Sequence, residues 1–299
     1  MSAKGRPERE LLPLGGMARG EKGAPAREPV ELRLAEDEAI FGGKSVQLGA
    51  SLRDGLPVPP GWALSVEFVD AIVSGDAAAQ AVLAAFLQDK PGAFAVRSSG
   101  VGEDAKIASF AGQHFTELNR IGHEDIVSAI RSVWESGHSE GARAYRAKLG
   151  ITGAPRTAVT LQRMIFPDCA GVMFTRHPLT GADEIVIEAS WGLGEAIVEG
   201  LVIPDHFRFS KGGALIERRA GTKDIFFKAL PGGGVEEATI DDPQKIRGYC
   251  LDDVQLEALV QLGVRCERHF GPGRDIEWGI QDKVLYLLQC RTITTGMPA

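Results

Sequence analysis

The sequence predicts an α+β fold in two lobes, with mostly antiparallel sheets flanked by helices. Three observations predict it. Short β-rich runs recur along the chain, the clearest being Glu184–Ser190 and Asp275–Arg291. Amphipathic stretches with helical spacing lie among these runs without the strict alternation of a parallel α/β sheet. At 299 residues the chain buries a sizeable core and exceeds what one lobe needs.

The elements follow in order. Residues 1–29 are rich in Gly, Pro, Arg and Glu without periodicity, so a disordered tail is expected, with Met17 as an alternative start. Phe41–Gly49 reads as a Gly-Gly turn opening a helix. Its Gly43-Lys44-Ser45 suggests a phosphate loop, but a Walker pattern needs a glycine about five residues earlier, where Glu38 stands. Lys44 at a helix start is either aimed at an anion or an ordinary surface lysine. Leu56–Trp62 is a turn into a short strand. Val66–Val73 and Ala77–Leu87 are helical, the second ended by Pro91-Gly92. Phe94–Gly100 is an apolar strand ending in Arg97, Ser98 and Ser99. Beside the loop Ser109–Thr116 this makes a phosphate cradle, or else Arg97 pairs with Glu103 or Asp104.

Asp125–Trp134 and Glu140–Lys148 are amphipathic helices. Thr157–Phe166 and Glu184–Ser190 are strands, and Gly171–Gly181 is a strand with a Pro/Gly turn. Trp191–Glu199 is a glycine turn opening a helix. Pro204–Phe209 and Leu215–Arg218 are further strands, and Asp252–Phe270 is a long helix. The expected division is a tail at 1–29, an N-terminal lobe at 30–160 and a C-terminal lobe at 161–299.

The last element carries the most chemistry. Ile276, Trp278 and Ile280 alternate with Asp275, Glu277 and Gly279, and a second strand ends in Gln289 and Arg291. A two-residue loop pairs even positions with odd ones and turns Glu277 away from Gln289. An odd-length loop or bulged turn places Asp275, Glu277, Gln289 and Arg291 on one face. Such a cluster near a core needs partners. Magnesium and a phosphate chain satisfy it; so does a plain surface ion pair.

The net charge is −7 and the pI about 5.5, which argues against a nucleic-acid partner. Cys169, Cys250, Cys266 and Cys290 show no CxxC pair or metal spacing, as suits a reducing, cytoplasmic setting. No apolar run reaches the ~18 residues of a membrane span, and no signal peptide is evident.

Taken together, the ordered motifs resemble the nucleotide-binding domain shared by pyruvate phosphate dikinase, phosphoenolpyruvate synthase and rifampicin phosphotransferase. They are Gly42–Gly49 with Gly55–Gly61, Ala95–Ser99 with Ala108–Gln113, and Gln162-Arg-Met164 with Gly171–Arg176. Glu188–Glu195 and Asp275–Trp278 with Gln289-Cys-Arg291 complete the set. The resemblance covers residues 36–295 and implies an ATP-grasp-like fold closing on ATP. It implies that Lys44 and Arg97 hold phosphates, and that Thr116 closes over them from the Gly112 loop. Gln162, Met164 and Ile165 then lie against adenine. Glu277 and Gln289 ligate Mg²⁺ with Asp275 nearby, and Arg291 clamps the reacting phosphates.

Family members transfer phosphoryl to a histidine on a swivelling domain and release AMP. No motif of that domain is found here, so a separate phosphohistidine-domain partner is expected. The six histidines, including His114, are read as structural or surface groups. Phe115 stands where the family commonly has an acidic residue. The competing expectations are a non-catalytic nucleotide-binding module and a fragment of a longer enzyme.

Overall fold

The computed structural model describes residues 27–102, 115–148 and 153–293. Gly112, and with it the phosphate-covering loop, lies outside them, as do Glu103, Asp104 and His114.

The N-terminal elements are β1 (Val30–Glu31), α1 (Glu38–Arg53), β2 (Gly61–Leu64), α2 (Val66–Ser74), α3 (Ala77–Asp89), β3 (Ala93–Gly100), β4 (Thr116–Ile121), α4 (His123–Gly137), α5 (Glu140–Lys148) and β5 (Thr157–Arg163). The strands form one antiparallel sheet in the order β1-β2-β5-β3-β4. Phe68, Val69 and Ile72 of α2, Leu83 of α3, and Ile126 and Ile130 of α4 share a core with Phe94, Val96, Val159 and Leu161 of β3 and β5. The alternation in β3 and β5 leaves their other face, with Arg97, Ser99, Thr160 and Gln162, to polar work. Helix starts follow local chemistry: Ser65 Oγ accepts the Phe68 N–H at 3.1 Å and caps α2.

α1 packs on β3 and β5, and it is not one continuous helix. Gly42 has φ 72° and ψ 165°, and the chain restarts its helix just beyond. Only glycine fits there: a Cβ would stand 1.9 Å from the Ser99 carbonyl oxygen. Ser99 Oγ donates to the Phe41 carbonyl at 2.8 Å and accepts the Ser45 N–H at 3.0 Å. The Gly-Gly-Lys-Ser turn is thereby bolted to the end of the Arg97 strand.

The C-terminal elements are β6 (Cys169–Phe174), β7 (Glu184–Trp191), α6 (Glu195–Val198), β8 (Asp205–Ser210), β9 (Leu215–Arg219), β10 (Ile225–Ala229), β11 (Val235–Thr239), α7 (Pro243–Arg247), α8 (Asp253–Phe270), β12 (Arg274–Gln281) and β13 (Val284–Thr292). The second sheet is antiparallel, in the order β13-β12-β6-β7-β8-β9, and β10-β11 form a separate two-stranded sheet. α8 starts at a capping box, with Asp252 and Gln255 exchanging side-chain-to-backbone hydrogen bonds. It presents Leu256, Leu259, Val260 and Cys266 to Met173, Ile276, Trp278 and Leu287. The same core takes in Leu32, Phe41 and Leu48, so α1 joins the two sheets.

The α+β class holds, and both large sheets are antiparallel. β5 belongs wholly to the first sheet through Arg163, so sheet membership changes just past the expected 160/161 division. β1, β4, the β10-β11 hairpin and α7 were not among the expected elements, and the expected helix after Trp191 is only four residues long.

The turn expectation needs correction. β12 and β13 are joined by two residues, Asp282 and Lys283, with φ 50° and 66°, and Gln281 faces Val284. Positive φ at both central residues matches the twist of a hairpin. The parity is restored inside β13: Trp278 faces Leu287 but Glu277 faces Gln289, so Leu288 is the extra residue of a bulge. Asp275 then faces Arg291, and the four polar groups share a face as expected.

Candidate functional site

Arg97 is the hub. It lies on β3 opposite Thr116 of β4 and Thr160 of β5, and is 7% exposed. Its Nη2 donates to Glu277 Oε2 at 2.9 Å and to Gln289 Oε1 at 3.0 Å. Its Nη1 donates to Gln162 Oε1 at 3.2 Å and to the Leu288 carbonyl. One guanidinium thus ties the first sheet to three consecutive-strand acceptors of the C-terminal hairpin, and the bulge that sets the parity also supplies one of them. The fork geometry of arginine makes this possible; a lysine has no second planar edge to offer. Arg97 pairs with Glu277; its alternative partners Glu103 and Asp104 lie outside the described residues.

Beside it, Arg291 Nε donates to Asp275 Oδ2 at 2.8 Å. Burial pushes the Asp275 carboxyl above its ordinary range, with Arg291 opposing the rise. Gln162 is buried, and its Nε2 has no hydrogen-bond partner among the described residues. Its Oε1 is committed to Arg97, so Gln162 orients the guanidinium in addition to any contact with a base. Met164 follows, its N–H bonded to the Ala93 carbonyl at 3.1 Å. Ile165 crosses β12 at Gly279, where a Cβ would come within 2.9 Å of its Cδ1. These residues lie at the junction of the two sheets.

Lys44 follows the Gly42 kink and is 5% exposed, so the surface-lysine alternative fails. Next to it, the hydroxyls of Ser45 and Thr160 are 2.7 Å apart. α1 packs on β3, β5 and β13, which brings the lysine turn to the same face as Arg97. Thr116 opens β4 directly opposite Arg97. Phe115 before it is exposed, and its carbonyl accepts the Ser98 N–H at 3.2 Å.

Glu195 is the residue to which sequence reasoning gave no role, although it closes the quoted Glu188–Glu195 motif. It begins α6, and its Oε2 is buried without a hydrogen-bond partner among the described residues. Burial pushes its carboxyl up to about 7, nearby Glu277 adds to the rise and Arg97 opposes it. A Gly-Leu-Gly-Glu turn after a β-strand is the signal that could have flagged it. Among the described residues no group of three His, Cys, Asp or Glu side chains stands at metal-binding distance. Asp275, Glu277 and Gln289 are oxygen donors on the site face, and Glu195 lies near Glu277 and Arg97.

Residues 77–298 match the family model of the pyruvate phosphate dikinase AMP/ATP-binding domain. A probable phosphoenolpyruvate synthase from Methanothermobacter thermautotrophicus is 34% identical over 87% of this chain and 45% of its own length. A rifampicin phosphotransferase from Streptomyces sviceus is 41% identical over 69% of this chain and 24% of its own. The chain therefore spans less than half the length of these relatives. A solved D-alanine–D-alanine ligase from Bacillus anthracis covers 85% of this chain and 57% of its own at 10% identity, with a TM-score of 0.38. The matched span takes in β3, β5 and the β12-β13 hairpin, and on that evidence the chain belongs to the pyruvate phosphate dikinase AMP/ATP-binding domain family.

Proposed function

We propose that this chain is the ATP-binding unit of a phosphotransferase. It receives Mg²⁺-ATP between an N-terminal lobe (30–160) and a C-terminal lobe (161–299) in an ATP-grasp-like cleft. The observation that carries it is the Arg97 hub, a buried cation from one sheet held by a carboxylate, an amide and a carbonyl from the other. In this reading Arg97 and Lys44 take the phosphate chain, and Thr116 covers it from the Gly112 loop. Gln162, Met164 and Ile165 border the base, and Arg291, oriented by Asp275, clamps the reacting phosphates.

The donor set fits magnesium. Glu277 and Gln289 offer hard oxygens, and Glu195 has a buried oxygen without a hydrogen-bond partner among the described residues. Glu277 and Gln289 would hold the ion and Glu195 would face it. When bound, the ion supplies neutralisation of phosphate charge. For that, Glu277 must exchange Arg97 for metal while Arg97 turns to phosphate. Phosphoryl transfer asks for such positioning and charge compensation more than covalent help.

The acceptor in this reading is a histidine on a separate swivelling domain or partner chain, with AMP as the nucleotide product. AMP requires that the bond between the α- and β-phosphates breaks, so the two-phosphate unit passes to the histidine nitrogen, and its outer phosphate must then pass to water or a second acceptor to leave phosphohistidine. A cytoplasmic setting suits this reaction, and no single helix among the described residues is long and apolar enough to cross a membrane.

The test is calorimetric titration with ATP, GTP and AMP, with and without Mg²⁺, followed by an assay of AMP formation with candidate histidine-domain partners. Magnesium-dependent ATP binding with AMP release is expected. ATP binding without AMP release from any partner would favour a non-catalytic nucleotide module, and absence of ATP binding would overturn the proposal.

A further inference from the structure

The β10-β11 hairpin belongs to neither large sheet, yet it is hydrogen-bonded at its tip to β4 of the first sheet and at mid-strand to the turn that follows β7 of the second. Its strands are largely exposed or half-buried, so filling a core does not explain it. Two-stranded hairpins standing alone are marginal in water, so the fastenings hold it in place.

Midway along β10, the Phe227 carbonyl accepts the Leu193 N–H at 3.2 Å. Gly192, with φ 70°, lies so close that a Cβ would stand 2.6 Å from the same oxygen. This is the turn after β7 that leads to Glu195.

At its tip, the contact is with Asn119 of β4. Asn119 is 1% exposed with φ 55°, and it lies in a bulge where Leu118 and Asn119 together oppose Ala95. Its Nδ2 donates to the Leu230 carbonyl at 2.8 Å and to the Gly234 carbonyl at 2.7 Å. Its own carbonyl accepts the Gly234 N–H at 2.8 Å. Gly233, with φ 106°, allows the approach: a Cβ there would stand 3.3 Å from the Asn119 carbonyl oxygen. The left-handed bulge is what turns both the amide and the carbonyl of Asn119 outward to the hairpin.

We propose that the β10-β11 hairpin is a strap that sets the separation of the two sheets around the Arg97–Glu277 site, with Asn119 as the positioning residue that fastens it. The strap runs from β4, whose first residue Thr116 faces Arg97, to the turn that carries Glu195. It therefore links the two rims of the site without entering it. The fastening stands on the geometry alone; its effect on nucleotide binding rests on the function proposed above.

The test uses Asn119→Asp, which tolerates the left-handed backbone but cannot donate to Leu230 and Gly234, and Asn119→Gly, which removes the side chain without backbone strain. Spin labels on Gln88→Cys of α3 and Glu257→Cys of α8, both exposed, report the separation of the sheets. Both Asn119 variants are expected to lengthen and broaden the distance distribution in the nucleotide-free protein. They are expected to weaken Mg²⁺-ATP binding about tenfold while leaving the transfer rate at saturation near wild type. Unchanged distances in both variants overturn the strap. Altered distances with unchanged ATP affinity overturn its role at the site. If the parent chain binds no ATP, the functional proposal fails, while the distance measurement still decides the strap.

Discussion

Replacing Glu277 by Gln separates two roles that the Arg97 hub superimposes. Glu277 Oε2 holds Arg97 Nη2 at 2.9 Å, and its side chain is 30% exposed. A charge-assisted hydrogen bond contributes roughly 1.5–3 kcal/mol when shielded from water. Solvent access at Glu277 reduces that to about 1 kcal/mol. This interaction opposes any phosphate that must take Arg97 from the carboxylate, and the carboxylate also repels the phosphate directly. Glu277→Gln keeps the shape and a weaker neutral hydrogen bond while removing the charge. With metal chelated, ATP is therefore expected to bind about fivefold more tightly to the variant, the equivalent of about 1 kcal/mol. With Mg²⁺ present the proposed site predicts the reverse order: the variant lacks the charged oxygen assigned to the ion, and the enhancement by Mg²⁺ is expected to fall at least about tenfold. Paired calorimetric titrations in EDTA and in Mg²⁺ read both effects. A variant with the wild-type Mg²⁺ enhancement, or with weaker binding in EDTA, would refute the exchange of Glu277 between Arg97 and metal.

Three further outcomes are expected. Gly42→Ala sets a methyl 1.9 Å from the Ser99 carbonyl oxygen at φ 72°. Together the strain and the clash destabilise the fold by about 3 kcal/mol or more, which urea unfolding measures; a loss below about 0.5 kcal/mol would contradict the packing. Glu195 has its carboxyl raised from 4.5 to about 7, so its ionisation opposes folding. Its contribution is fully present below its unfolded value and is lost as pH rises from about 4.5 through 7, by up to about 3 kcal/mol; unfolding scans over that window are expected to show Glu195→Gln losing less stability than wild type. Arg291→Ala removes the proposed phosphate clamp and leaves Asp275 buried without that donor. AMP formation is expected to fall by about 10³-fold with a much smaller change in ATP affinity, and equal losses in both would place Arg291 in binding alone.

Much of the site was legible because its residues sit at fixed offsets on short elements. Period-2 alternation placed Ile276, Trp278 and Ile280 inward, and all three are buried. Parity then required an irregularity if Glu277 and Gln289 were to share a face, and the structure has one. Its location was not legible. A turn of Asp-Lys gives no composition signal for a two-residue loop with positive φ, and nothing in Leu-Leu-Gln marks Leu288 as the bulged residue. Glu195 was overlooked for a related reason: a carboxylate's burial depends on what packs above it, and here that comes from other elements. The β10-β11 hairpin was missed because its strands lack a buried face, so no alternation signals it.

The amino-acid order by itself determined the α+β class, the inward and outward faces of the strands, the glycine turn before Lys44 and the acidic, amide and guanidinium groups at the end of the last hairpin. Those are local properties, set by backbone sterics and side-chain period. Only the tertiary structure decided that Arg97 is held by Glu277, Gln289 and the Leu288 carbonyl, that Lys44 is buried, and that Asn119 clasps a distant hairpin. These contacts join residues far apart in the chain. Their geometry depends on how two sheets meet through the shared core around α1, which no short window of sequence encodes.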